Sequence, residues 1–206
     1  MVFKQRHFIN LHKITTPFVI LLLMEHYKNY TIGPIVYFGL HTGYCVCWLL
    51  KEAIYPDPAF NAEMNILEFA SAYCVLGVYW IAPYVLISSR IVPHLVTLLT
   101  AVPICLVGFF FHFGADSQKY FILKTKKGLI TDGFFSRTRN PNFLGEVLIY
   151  FGWSILAESI TPLAVLLLMI TVLFYPRMLK KEKSLSRYPE FQEYKLRTNF
   201  IVPRLF

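Results

Sequence analysis

Three stretches of this chain, residues 32–50, 64–89 and 92–114, together carry one formally charged side chain, Glu68. Each is long enough to cross the hydrocarbon of a bilayer, which takes about 20 mainly apolar residues. A fourth apolar run, residues 142–176, is too long for one crossing, and Glu158, Ser159, Thr161 and Pro162 interrupt it as a turn would. It is predicted to be a helical hairpin that returns the chain to the side it came from. The least clear span covers residues 14–27, where Pro17 precedes the apolar run and Glu25 and His26 end it. No small-residue cleavage site follows it, so it reads as a retained first helix rather than a cleaved signal. The expected fold class is therefore an all-α integral membrane bundle of about six transmembrane helices with a C-terminal hairpin and a basic tail. Composition agrees, since 56% of the residues are hydrophobic against about 45–50% in soluble domains.

Charge divides the chain in two. Residues 115–141 and the tail from residue 177 hold fourteen Lys and Arg against five acids, so these segments carry +9 and the remainder is near neutral. We therefore divide the sequence into N-terminal spans, residues 1–114, and a basic C-terminal domain, residues 115–206. Lys and Arg stay on the cytoplasmic side of a membrane, or the matrix side in a mitochondrion. Six spans with an inner N-terminus leave only Lys28 and Arg90 outside. Both termini are then expected on the cytoplasmic or matrix side, in the endoplasmic reticulum or the mitochondrial inner membrane. The bilayer is the partner this pattern calls for, and nucleic acid is not. Cys45, Cys47, Cys74 and Cys105 all sit inside apolar runs, which suggests membrane packing rather than disulfides or a metal site.

Chemistry concentrates in Arg137-Thr138-Arg139-Asn140-Pro141-Asn142-Phe143-Leu144-Gly145-Glu146. Asn140 suits a helix cap and Pro141 the first helical position, where a missing N–H costs nothing. The positive end of that helix would lie beside Arg137 and Arg139, an arrangement that binds phosphate or carboxylate. Asn142 and Glu146, four residues apart, share a face. Glu146 then sits about one turn into a span, where an ionisable group is a functional candidate.

With the hairpin, then Lys181-Glu182-Lys183-Ser184-Leu185, then Tyr188-Pro189-Glu190-Phe191-Gln192-Glu193-Tyr194 and Pro203, this stretch resembles the C-terminal domain of the steroid 5α-reductase family. Within that family it looks most like an uncharacterised membrane branch. The resemblance covers roughly residues 115–206 and extends to isoprenylcysteine carboxyl methyltransferases and phospholipid methyltransferases. The methyltransferase pattern has His where Asn140 stands and a second Glu where Lys183 follows Glu182. The reductase pattern has the Asn-Phe-Leu-Gly-Glu of residues 142–146.

The resemblance therefore implies an NADPH-dependent oxidoreductase acting on a conjugated C=C bond of a lipid. Arg137 and Arg139 would lie on phosphate, Asn142 and Glu146 at the nicotinamide end, and Tyr188, Tyr194 and Arg197 in a tail folded over the cofactor. S-adenosylmethionine-dependent methyl transfer to a lipid or prenylcysteine stays open as an alternative. So does a non-catalytic subunit of a larger membrane complex. A reductase also needs a proton donor from the N-terminal spans. Glu68 and Tyr79, three helical turns apart on one face, are the candidates.

Overall fold

The computed structural model describes residues 2–204. Helices dominate: α1 (Gln5–Tyr27), α2 (Ile32–Ile54), α3 (Ile66–Gly77), α4 (Ile81–Ser88), α5 (Leu95–Thr125), α6 (Pro141–Leu156), α7 (Ile160–Met169), α8 (Tyr175–Leu185) and α9 (Phe191–Arg197). A two-residue strand, β1 (Phe3–Lys4), pairs antiparallel with β2 (Glu63–Met64) and ties the N-terminus to the start of α3. A 3₁₀ turn, Val78–Trp80, joins α3 to α4, and a π-helical turn, Ile170–Phe174, joins α7 to α8. Five helical segments are long and apolar enough to cross a membrane: Gln5–Tyr27, Ile32–Ile54, Ile66–Ser88, Leu95–Thr125 and Ile160–Leu185. This is an all-α membrane bundle.

The predicted hairpin is present. Its turn centres on Glu158, whose φ of 41° is left-handed, and Ser159 caps α7 by accepting from Thr161 N. The descending arm, α6, has 16 residues and so spans about 24 Å, short of the ~30 Å hydrocarbon thickness. It compensates by lying against α5. A Cβ on Gly108 would come within 2.8 Å of the Gly145 carbonyl oxygen, and one on Gly145 would collide with the His112 N–H and the Gly108 carbonyl. Small residues at a crossing let two membrane helices approach backbone to backbone. Helix α5 runs unbroken past residue 114 to Thr125, carrying Asp116 and Lys119 beyond the apolar run.

The first helix starts earlier than its apolar run. Residues 5–13 form its opening turns, and Pro17 is accommodated inside it. Proline removes the N–H that would bond the carbonyl four residues back, that of Lys13. The outside of the bundle is apolar, and inside it ionisable groups share the interior with an apolar core. Phe18, Leu22, Leu67, Leu95 and Phe110 are exposed, whereas His12, Lys13, His41, Lys51, Glu52, His112 and Asp116 are buried. That arrangement suits lipid as the surrounding solvent, with ionisable groups turned toward the bundle axis.

Candidate functional site

The start of α6 is at Pro141, as expected, but its predicted cap is absent. Asn140 stands in the N-cap position without a side-chain cap bond. Its Nδ2 donates instead to the Phe200 carbonyl at 2.9 Å, leaving Oδ1 buried without a hydrogen-bond partner among the described residues. The cause is the tail, which folds back on residues 137–140. Thr138 bridges Asn199, Arg139 N donates to the Asn199 carbonyl at 3.0 Å, and Thr138 Oγ1 donates to the Ile201 carbonyl at 2.8 Å.

Arg139 is buried in this junction. Its Nε donates to Glu182 Oε1 at 2.5 Å and its Nη1 to the Thr198 carbonyl at 2.6 Å. The arginine predicted to hold phosphate thus holds α8 and the end of α9. Lys181 adds to the clamp by donating to the Arg139 carbonyl at 2.8 Å. Arg137 is exposed, and its Nη1 donates to the Arg204 carbonyl at 3.1 Å. Tyr194 is buried, with its hydroxyl donating to the Phe135 carbonyl at 2.8 Å, and burial pushes its phenol well above the ordinary range. Tyr188 is half-buried and accepts from Arg187 Nη2 at 3.1 Å, while Arg197 is exposed on α9. Residues 199–204 thus pack on the loop before α6 and Tyr194 on Phe135, while the Tyr188 hydroxyl meets its neighbour Arg187.

Below this roof, stripes of polar and aromatic side chains converge from several helices. Helix α6 contributes Asn142, Glu146, Tyr150 and Trp153, and α2 contributes Tyr37, His41, Tyr44, Trp48 and Lys51 at helical spacing. Lys13 of α1 lies 4.6 Å from the Tyr44 ring centroid and 5.5 Å from that of Trp48. Glu146 is within electrostatic reach of Lys13, Tyr44, Tyr79 and Tyr150. Tyr79 is buried in the 3₁₀ turn, stacked on Tyr150 with centroids 4.1 Å apart and planes at 9°. His112 Nδ1 contacts the Asn142 carbonyl at 3.2 Å, and His112 stacks on Trp48. Asn142 Oδ1, His112 Nε2 and Trp153 Nε1 are buried with no hydrogen-bond partner among the described residues. Buried polar atoms are rarely left so unless water or a ligand completes them.

One turn above His112 on α5, Asp116 opens into a cavity of about 260 Å³ lined also by Lys51, Tyr55, Asp57, Lys119 and Lys124. Lys51 Nζ is 3.4 Å from Asp116 Oδ2 and lies over the Trp48 ring at 4.7 Å. Lys119 Nζ donates to Asp57 Oδ2 at 2.7 Å. Burial works against ionised Asp57, but the Lys119 charge and hydrogen bond and the Ala59 N–H outweigh it and hold the carboxyl below its usual range. Burial, reinforced by Asp116, pushes the Tyr55 phenol up to about 12. Glu52 is buried beside this wall with Arg6 Nη1 at 3.5 Å.

Of the proton-donor candidates, Tyr79 joins the cluster and Glu68 does not. Glu68 is exposed at the start of α3, where its Oε2 accepts from Asn65 N at 2.8 Å while Asn65 Oδ1 accepts from Glu68 N at 3.0 Å. That reciprocal pair is a capping box, which holds Glu68 at the helix end and out of the bundle interior. Sequence reading missed Lys13 and Lys51, because charges near span ends pass for positive-inside anchors. A cation within a continuous helical stripe of apolar and aromatic residues was the available signal.

These features define a multi-pass α-helical membrane protein with a charged interior site under a folded-back tail. The chain belongs to the DUF1295 family, proteins of unknown function that include steroid 5α-reductase-like membrane proteins; the family model matches residues 61–198. The chain is also similar to the nickel-cobalt-cadmium resistance protein NccN of Alcaligenes xylosoxydans xylosoxydans, at 39% identity over 83 residues. That match covers 37% of this chain and 37% of the relative.

Proposed function

We propose that the protein is a membrane-embedded, NADPH-dependent reductase of a C=C bond conjugated to a carbonyl in a lipid such as a sterol, polyprenoid or fatty acyl chain. The observation that carries this reading is the interior cluster of buried Lys13, Tyr44 and Tyr79 with half-buried Glu146 in electrostatic reach, on four different segments of the bundle. Ionisable groups inside a bilayer cost several kcal/mol, and packing alone gives no reason to gather them.

The residues suit a nicotinamide cofactor in two respects. Asn142 Oδ1 is a buried acceptor without a donor, which fits a carboxamide N–H. The cavity one turn above His112 presents Lys51, Lys119 and Lys124 against Asp57 and Asp116, a net positive lining that fits phosphate. Arg139, engaged by Glu182 and Thr198, would serve the roof, and Tyr188, Tyr194 and Arg197 the tail that covers the site. When bound, such a cofactor supplies hydride for the β-carbon. Lys13 would draw electron density toward the carbonyl oxygen, and Tyr79 would deliver the proton to the α-carbon. Glu146 would favour the charged form of Lys13 against its burial. The substrate would arrive laterally from the bilayer, and the basic face would lie on the cytoplasmic or matrix side.

Isothermal titration of the detergent-solubilised protein with NADPH and with S-adenosylhomocysteine tests this reading. NADPH is expected to bind, and Asn142→Ala to weaken it at least tenfold. Binding of S-adenosylhomocysteine alone would assign methyl transfer instead. Binding of neither, with the protein recovered only in a larger assembly, would assign a non-catalytic subunit.

A further inference from the structure

On the outer side of α5, away from the buried cluster, Phe134 lies against Gly114, where any added Cβ would strike its ring. Gln118 holds the Phe134 loop in place, its Oε1 accepting from Phe134 N and its Nε2 donating to the Asp132 carbonyl, both at 2.9 Å. The Phe134 ring packs on Phe110 at 5.0 Å and Phe111 at 5.9 Å. Between these rings, Ser136, Arg137 and Pro203 runs an open groove of about 540 Å³, within the range of small-molecule sites.

The groove has a chemical direction. Phe110 is 66% exposed and belongs to the apolar part of α5, eight residues before Gln118, or about 12 Å along the helix axis. At the other end the exposed Arg137 side chain stands on backbone that is pinned, its carbonyl accepting from Asn199 N and Arg204 N. A guanidinium has five donors in a planar fork that matches phosphate. The segment that carries it is net positive: residues 115–141 contain six Lys or Arg against Asp116 and Asp132. An aromatic trough at hydrocarbon depth that ends at a fixed arginine is complementary to one kind of molecule, an amphiphile with a phosphate at the headgroup level. Basic residues at that level favour lipids of net negative charge.

We infer that this groove binds an anionic phospholipid, its phosphate at Arg137 and one acyl chain along Phe110, Phe111 and Phe134. The inference does not rest on the reductase reading: of the groove residues, only Arg137 was given a cofactor role by the family resemblance, and Phe110, Phe111 and Phe134 have none there. The intact protein is reconstituted with equal amounts of phosphatidylglycerol and phosphatidylcholine, and retained lipid is measured by native mass spectrometry. Phosphatidylglycerol is expected to be retained at least fivefold over phosphatidylcholine. Arg137→Gln should bring that ratio within twofold of unity, and Arg187→Gln, an exposed cation outside the groove, should leave it unchanged. A phosphatidylglycerol carrying a photoreactive acyl chain should cross-link to residues 110, 111 and 134. Equal retention of the two lipids, a preference that survives Arg137→Gln, or cross-links on other helices would overturn the site. Oleate displacing the phospholipid at equal concentration would overturn the phosphate assignment.

Discussion

Arg139 Nε donates to Glu182 Oε1 at 2.5 Å, and the two side chains are 6% and 14% exposed. This pair joins the loop before α6 to the far end of the hairpin, and through Thr198 it fixes the tail above Asn142. Removing one partner of a buried pair leaves the other charge uncompensated, at a cost of roughly 3–5 kcal/mol. Glu182→Ala is therefore expected to lower the thermal midpoint in detergent sharply and to expose the tail to trypsin at Arg197. A tail as resistant as in the unaltered protein would mean the clamp does not hold it.

Glu158 caps α5 from across the hairpin turn. Its Oε1 accepts from His94 N at 2.8 Å and Thr97 Oγ1 at 2.5 Å, and Oε2 lies 2.9 Å from His94 Nδ1. Burial opposes ionisation, but the Thr97 hydroxyl and the His94 backbone and ring bonds together hold the carboxyl below 4.5. A depressed folded-state value stabilises above the unfolded value and is lost as pH falls through the folded one. Midpoints measured from pH 7 downward should thus stay flat from this group until about pH 4.5, then fall. Glu158→Gln should lower the neutral-pH midpoint and flatten that acid-side slope.

Gly145 and Gly108 let α5 and α6 touch backbone to backbone. A methyl group at Gly145 would meet main-chain atoms of α5, which cannot turn aside as a flexible side chain would. Overpacking of this kind costs about 1–3 kcal/mol. Gly145→Ala should lower the melting midpoint accordingly, whereas Gly43→Ala, where an added Cβ has no neighbour within 4 Å, should leave it nearly unchanged. Equal effects at the two positions would show that the crossing is not tight.

Much of this architecture was legible from residue order. The charge-free runs gave the spans, and Glu158 through Pro162 gave the turn of the hairpin, because lipid admits little besides apolar helix at its depth. Pro141 marked the start of α6 for a local reason, its fixed φ and missing N–H. Asn140 misled because a cap is a local inference, and the competing acceptor, the Phe200 carbonyl, lies sixty residues away. The setting of Arg139 was hidden in the same way, its partner Glu182 being visible only once the hairpin closes. Lys13 was hidden differently. Its charge is ordinary at a span end, and only packing against Tyr44 and Trp48 distinguishes an interior lysine from an anchor.

The reductase reading separates its residues by what each does to binding and to turnover. Glu146 lies on the same face as Asn142 and is within electrostatic reach of Lys13, so Glu146→Ala should abolish NADPH binding while circular dichroism and the melting midpoint stay close to those of the unaltered protein. Lys13→Met keeps the length and apolar stem of the side chain and removes the charge over Tyr44. It should leave NADPH affinity within about threefold and lower kcat by roughly 10²–10³, the range for loss of one positioned electrostatic stabiliser. Glu68→Ala supplies the contrast, because its carboxylate caps α3 at the exposed end of the helix. That variant should lose about 0.5–2 kcal/mol of stability and retain full turnover. Turnover lost in Glu68→Ala and kept in Tyr79→Phe would move the proton donor out of the buried cluster and back to the start of α3.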